Sequence, residues 1–78
     1  MTVKVYLLIE AQVGKTKQVV GAMRKLPEVE SVDAVTGPYD AIAIIQVEGL
    51  NDIGEVVVKK VHPIAGISRV VTCIALHK

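Results

Sequence analysis

The order in which hydrophobic periodicity changes along this chain constrains its fold more than any other feature. Val3, Val5, Leu7 and Ile9 alternate with Lys4, Tyr6, Leu8 and Glu10. That is the period of two imposed by a β-strand, whose successive side chains point to opposite faces. From about Gly14 the period lengthens: Thr16, Val19, Val20, Met23 and Leu26 recur at spacings of three and four. Lys15, Lys17, Gln18, Arg24 and Lys25 fill the other side, and Pro27 stops the run, so the spacing predicts an amphipathic helix. The segments "EVESVDAVT" and "DAIAIIQVE" read as two further strands separated by the Gly37-Pro38 turn. A second helix is expected from about Asn51 to His62, with Leu50, Ile53, Val57 and Val61 on its apolar side and an Asp52/Glu55 capping box at its start. Pro63 and Gly66 end that helix, and "ISRVVTCIAL" supplies the last strand. A β-α-β-β-α-β order in two similar halves specifies an α+β, ferredoxin-like domain: a four-stranded antiparallel sheet with two helices on one face.

That architecture makes a demand on composition. A sheet covered on one face only should be polar on the other. Here both faces are apolar: Val70, Thr72, Ile74 and Leu76 oppose Val71, Cys73 and Ala75 in the last strand, and Ile42 and Ile44 oppose Ala43, Ile45 and Val47 in the third. A face of that kind marks an interaction surface. The expectation is a homodimer, sheet against sheet across a two-fold axis. Size points the same way, because 78 residues make one domain, residues 1–78, and a chain so short buries only about 60% of its unfolded surface.

Charge and cysteine usage exclude other classes. Nine basic against eight acidic residues give a formal net charge of +1 with the signs interspersed, which is no footprint for phosphate backbones. No Phe or Trp and only two tyrosines leave no stacking platform for RNA. Polar residues and glycines interrupt every apolar run before the roughly 18 residues a membrane span needs. The opening "MTVKVYLLIEA" does not resemble a secretory signal, and the single cysteine, Cys73, has no partner for an internal disulfide. A cytoplasmic protein without nucleic-acid or membrane contact is expected.

Other motifs carry little. "VGKT" lacks the upstream glycine of a phosphate-binding loop, since Ile9 occupies that position, and reads as a solvated helix start. His62 and His77 have no acidic or cysteine neighbours at metal-ligand spacing; His62 reads as a helix C-terminal residue. Cys73, in an apolar strand with no basic neighbour, reads as an inert core thiol. No nucleophile, base or carboxylate pair suggests catalysis, and no cofactor is implied.

What remains is "VTGPYDAIAIIQVE" together with "AGISRVVTCIAL". These resemble the G-x-Y-D and G-[VI]-x-R-x-x-T segments of the RAM domain, the effector-binding half of the Lrp/AsnC feast/famine transcription regulators. "VGK" at the first helix and "LPEVESV" after it extend the resemblance over almost the whole chain. It implies a non-catalytic module in which sheet-paired dimers assemble into octamers or other rings and bind a free amino acid between dimers. By the same resemblance Gly37 gives the ligand close access to backbone, Tyr39 and Asp40 supply amides and a carboxylate, and Thr72 adds a hydroxyl. The chemistry suits a zwitterion, whose ammonium needs a carboxylate and whose carboxylate needs N–H or O–H donors. The plainer readings are turn geometry for Gly37 and Pro38, an Asx-type turn for Asp40, interface packing for Tyr39 and a strand position for Thr72. Arg69 reads as one half of a solvated or intersubunit ion pair. Family members usually carry an N-terminal helix-turn-helix, whereas this sequence begins directly with the first strand; a stand-alone module is expected, associating at most with a full-length regulator of the family. Two other functions compete: a structural self- or hetero-oligomerisation module with a silent ligand site, and a small dimeric ferredoxin-like enzyme.

Overall fold

The computed structural model describes residues 2–76. His77, weighed above as a metal ligand, lies outside the described residues. The elements are β1 (Val3–Ala11), α1 (Thr16–Arg24), β2 (Val29–Ala34), β3 (Ala41–Val47), α2 (Leu50–Val56), a π-helical turn (Val57–Val61) that prolongs α2, and β4 (Ile67–Ile74). They form one four-stranded antiparallel sheet in the order β2-β3-β1-β4, the ferredoxin-like arrangement that the periodicities specify.

The period-two rows of β1 and β3 divide cleanly. Val5, Leu7 and Ile9 of β1 and Ala41, Ala43 and Ile45 of β3 are fully buried beneath the helices. Register makes them neighbours, with Leu7 opposite Ala43 and Ile9 opposite Ala41, and the small alanines leave room for Val19, Val20 and Met23 of α1 to pack down. Ile53, Val56, Val57 and Val61 close the same layer from α2 and its continuation.

Three local expectations need correction. Leu50 lies outside the core at 64% exposure, and Val56 takes its place on the buried side. The start of α2 is capped by Gly49 and Asp52 rather than by Asp52 and Glu55: the Asp52 carboxylate accepts the Gly49 N–H at 3.2 Å, while the Asp52 N–H donates to the Gly49 carbonyl at 3.0 Å. Glu55 pairs with Lys59 one turn on, at 2.8 Å. Cys73 is exposed instead of buried, because it stands opposite Tyr6 on the face away from the helices.

That second face carries Tyr6, Leu8, Ile42, Ile44 and Val71, all half-buried, beside Cys73. Tyr6 faces Ile44 on one side and Cys73 on the other, and Leu8 faces Ile42 and Val71, so the apolar side chains form one contiguous patch. Lys4, Glu10, Asp33, Gln46 and Arg69 share its parity and rim it. The patch has the composition of a core and the exposure of a surface.

Candidate functional site at the loop end of the sheet

The turn between β2 and β3 places its residues at the sheet end where β1 finishes. Gly37 has φ +128°, in the region that favours glycine, yet a Cβ built there would meet nothing within 4 Å. Backbone conformation, not crowding, therefore requires the glycine. Tyr39 and Asp40 follow, both half-buried.

Asp40 is fastened by three hydrogen bonds. Its N–H donates to the Ile9 carbonyl at 2.8 Å, and its carbonyl accepts the Val35 N–H at 2.9 Å. Its side-chain Oδ2 accepts the Ala11 N–H at 2.8 Å, a bond that spans 29 positions of sequence. The carboxylate thus ties the turn to the end of β1 instead of closing a local Asx turn. Oδ1 accepts from none of the described residues, which leaves lone pairs for a further donor.

Thr72 is placed differently. It stands opposite Leu7 on β4, and although its row faces the helix side, the residue is exposed, because on this outer strand the core reaches Ile67 and Val70 but not Thr72. β1 lies between β3 and β4, and three residues of strand separate the level of Leu7 from that of Asp40. Strand spacing then puts the two Cα atoms about 14 Å apart. One subunit gathers Gly37, Tyr39 and Asp40 but does not bring Thr72 to them.

Around the same end lie groups that sequence reading passed over. Pairing slips between Glu10 and Ala11: Glu10 faces Arg69 and Ala11 faces Ile67, so Ser68 has no strand partner. The Ser68 hydroxyl donates to the Glu10 carbonyl at 3.0 Å, and the Gln12 N–H donates to the Gly66 carbonyl at 2.7 Å. The Arg69 guanidinium lies 3.7 Å from the Glu10 carboxylate, which supplies the solvated partner expected for it. The signal was Glu10 itself, but only the register reveals its partner.

Two clefts are lined by none of Gly37, Tyr39, Asp40 and Thr72. One, about 290 Å³, runs beside the start of β4 between His62, Ser68 and Arg69. The other, about 480 Å³, occupies the opposite end of the sheet and is lined by Glu28, Glu48, Asp52, Glu55 and Lys60 over Val47 and Val56. Two of its four carboxylates are paired, Glu28 with Lys60 and Glu55 with Lys59. The hydrogen bond from Lys60 holds the Glu28 carboxyl below its ordinary value, and the hydrogen bond between Lys59 and Glu55 lowers the Glu55 carboxyl and raises the Lys59 ammonium. Among the described residues no group of three or more His, Cys, Asp or Glu could hold a metal ion, and no helix is long and apolar enough to cross a membrane.

Known proteins share this arrangement. A helix-turn-helix transcriptional regulator of Pyrococcus horikoshii is 32% identical over 69 residues, covering 88% of this chain and 44% of that protein. The chain therefore spans less than half the length of that relative. The crystal structure of TTHA0845 from Thermus thermophilus superposes with a TM-score of 0.92 at 26% identity, over 97% of this chain and 95% of that one. A transcriptional regulator of Neisseria meningitidis, solved as a complex with L-Met, shares the fold at a TM-score of 0.87 and 18% identity, over 97% of this chain and 51% of that one. Residues 4–78 match the Lrp/AsnC ligand binding domain, and the chain belongs to that family of transcription-regulator domains.

Proposed function

We propose that this domain is a non-catalytic effector sensor that binds a free amino acid where two subunits meet. The Gly37, Tyr39 and Asp40 turn comes from one subunit, and Thr72 from another. The observation that carries the proposal is the unclaimed Oδ1 of Asp40, held at the sheet end by the bond that fixes Oδ2. A carboxylate presented in this way suits an ammonium group, and charge-assisted hydrogen bonds are the strong ones. The separation of Asp40 from Thr72 within a subunit favours a site completed by assembly, and the L-Met complex of the Neisseria relative supports an amino acid as the ligand class. The half-buried patch of Tyr6, Leu8, Ile42, Ile44 and Val71 is the surface through which two copies pair, and such dimers assemble into a larger ring. A full-length regulator of the family is the heterologous partner suited to the same surface.

A thermal-shift panel of the twenty amino acids tests the reading first, since a ligand at a hundred times its Kd adds about 2.7 kcal/mol to stability. Calorimetry then follows on Asp40→Asn, which keeps an oxygen for the Ala11 N–H but loses the charge. Affinity should fall on the order of tenfold with little change in melting temperature. Thr72→Val should cost about 1 kcal/mol of binding. If no amino acid moves the melting temperature, the domain serves assembly alone, the function that its open sheet face would still support.

A further inference from the structure

We infer that Asp40 is a positioning residue: through the bulge at Glu10 and Ala11 it ties the Gly37-to-Asp40 turn to the charged rim of the open sheet face, so that occupancy of the turn is felt in subunit association. The role of occupancy rests on the ligand reading above; the tie rests on geometry. At the end of β1, three successive residues are held by two other segments, the start of β4 on either side and the turn before β3 between. Ser68 donates its hydroxyl to the Glu10 carbonyl, Asp40 Oδ2 takes the Ala11 N–H, and the Gly66 carbonyl takes the Gln12 N–H.

These anchors meet where the β1–β4 ladder is interrupted, with Ser68 left over between Arg69 and Ile67. A bulge re-aims side chains and bends its strand, so its conformation responds to whatever pins it. The side chains aimed here are Glu10 and Arg69, which lie 3.7 Å apart on the open face, two strand positions from the Leu8 and Val71 pair. A continuous chain of contacts thus runs from the Asp40 carboxylate through the Ala11 amide to the rim of the apolar patch. An ammonium arriving at Oδ1 restrains the carboxylate that holds Ala11, and with it the bulge.

The test uses the full chain, first without ligand. Amide hydrogen exchange by NMR and sedimentation velocity are compared for wild type, Asp40→Ala, Asp40→Asn, Ser68→Ala and the double variant Asp40→Ala with Ser68→Ala. Asp40→Ala should speed exchange on the order of tenfold at Ala11 and across Ile67 to Val70, and should weaken self-association. Asp40→Asn should retain wild-type exchange, since its carbonyl oxygen accepts the same N–H. The double variant should fall short of the sum of the two single effects. Faster exchange confined to Ala11 and the turn, with Ile67 to Val70 unchanged, overturns the inference even if the variant is monomeric. So does strict additivity. Millimolar amino acids are then added one at a time. If none binds while β4 still responds to Asp40→Ala, the ligand reading falls and the tie stands. If one binds while β4 stays silent, the tie falls and the ligand reading stands.

Discussion

The two faces of this sheet are built from similar residues and meet different fates. Leu7 and Leu8 are adjacent in β1, yet Leu7 is fully buried under the helices while Leu8 remains half-exposed on the open face. Ile44 and Ile45 repeat the contrast in β3. The difference shows that one chain has helices enough to finish one apolar face only. On the function proposed above, stability and assembly belong to opposite sides of a single layer.

The largest effect should come from breaking the finished side. Leu7→Ala leaves a cavity among Ala43, Met23 and their neighbours and should cost about 2–5 kcal/mol, read by denaturant unfolding at low protein concentration. Leu8→Ala, measured the same way, should cost less than about 1 kcal/mol. Equal losses would erase the distinction between the faces. Next in size is Ile44→Lys, which puts a charge in the centre of the open patch. We expect self-association to weaken about a hundredfold, or ~2.7 kcal/mol, in sedimentation equilibrium, with an unchanged circular dichroism spectrum. An assembly as tight as wild type would place the contact elsewhere.

A smaller effect sharpens the description of the finished side. Gly66 has φ +99°, and a Cβ there would come within 2.9 Å of the Lys15 Cβ and 3.2 Å of Val19 Cγ2, so the loop before β4 closes against α1 with no room to spare. Gly66→Ala should destabilise by about 1–2 kcal/mol from strained backbone and crowding together, seen as a lower melting temperature. The smallest effect concerns Glu28 and Lys60, the pair that clamps the end of α2 to the start of β2. Because Lys60 lowers the Glu28 pKa in the folded state, the pair stabilises fully above the unfolded value near 4.5 and loses its contribution as pH falls through the lowered folded value. Lys60→Met should cost less than about 1 kcal/mol at neutral pH, and in acid titrations its unfolding curve should converge with that of wild type.

Much of the fold was legible because periodicity is a local property. Val19, Val20 and Met23 are the buried positions of α1, as their spacing requires, and the alternation of β1 and β3 gave the correct parity for each face. What escaped depends on strand order and register. Nothing near Cys73 in sequence says that its row faces outward; Leu50 fits the helical spacing but sits one position too early to be covered. The turn that carries Gly37, Tyr39 and Asp40 was visible as a motif, whereas the use of Asp40 was not, because its partner is a backbone amide 29 residues away. The distance from Asp40 to Thr72 was equally hidden, being set by the insertion of β1 between β3 and β4.

The π-helical turn Val57–Val61 has a bearing on how sequences of this kind should be compared. The His62 N–H reaches back to the Val57 carbonyl at 2.8 Å, five residues instead of four, so this stretch holds one residue more than a regular helix of the same span. Val57 and Val61 remain in the core on either side of it. Relatives with an uninterrupted α-helix here should align only with a single-residue gap, and deleting Val58, which is 59% exposed, should convert the turn to α-helix without moving β4. The fold thus accommodates the extra residue within a helix rather than in a loop.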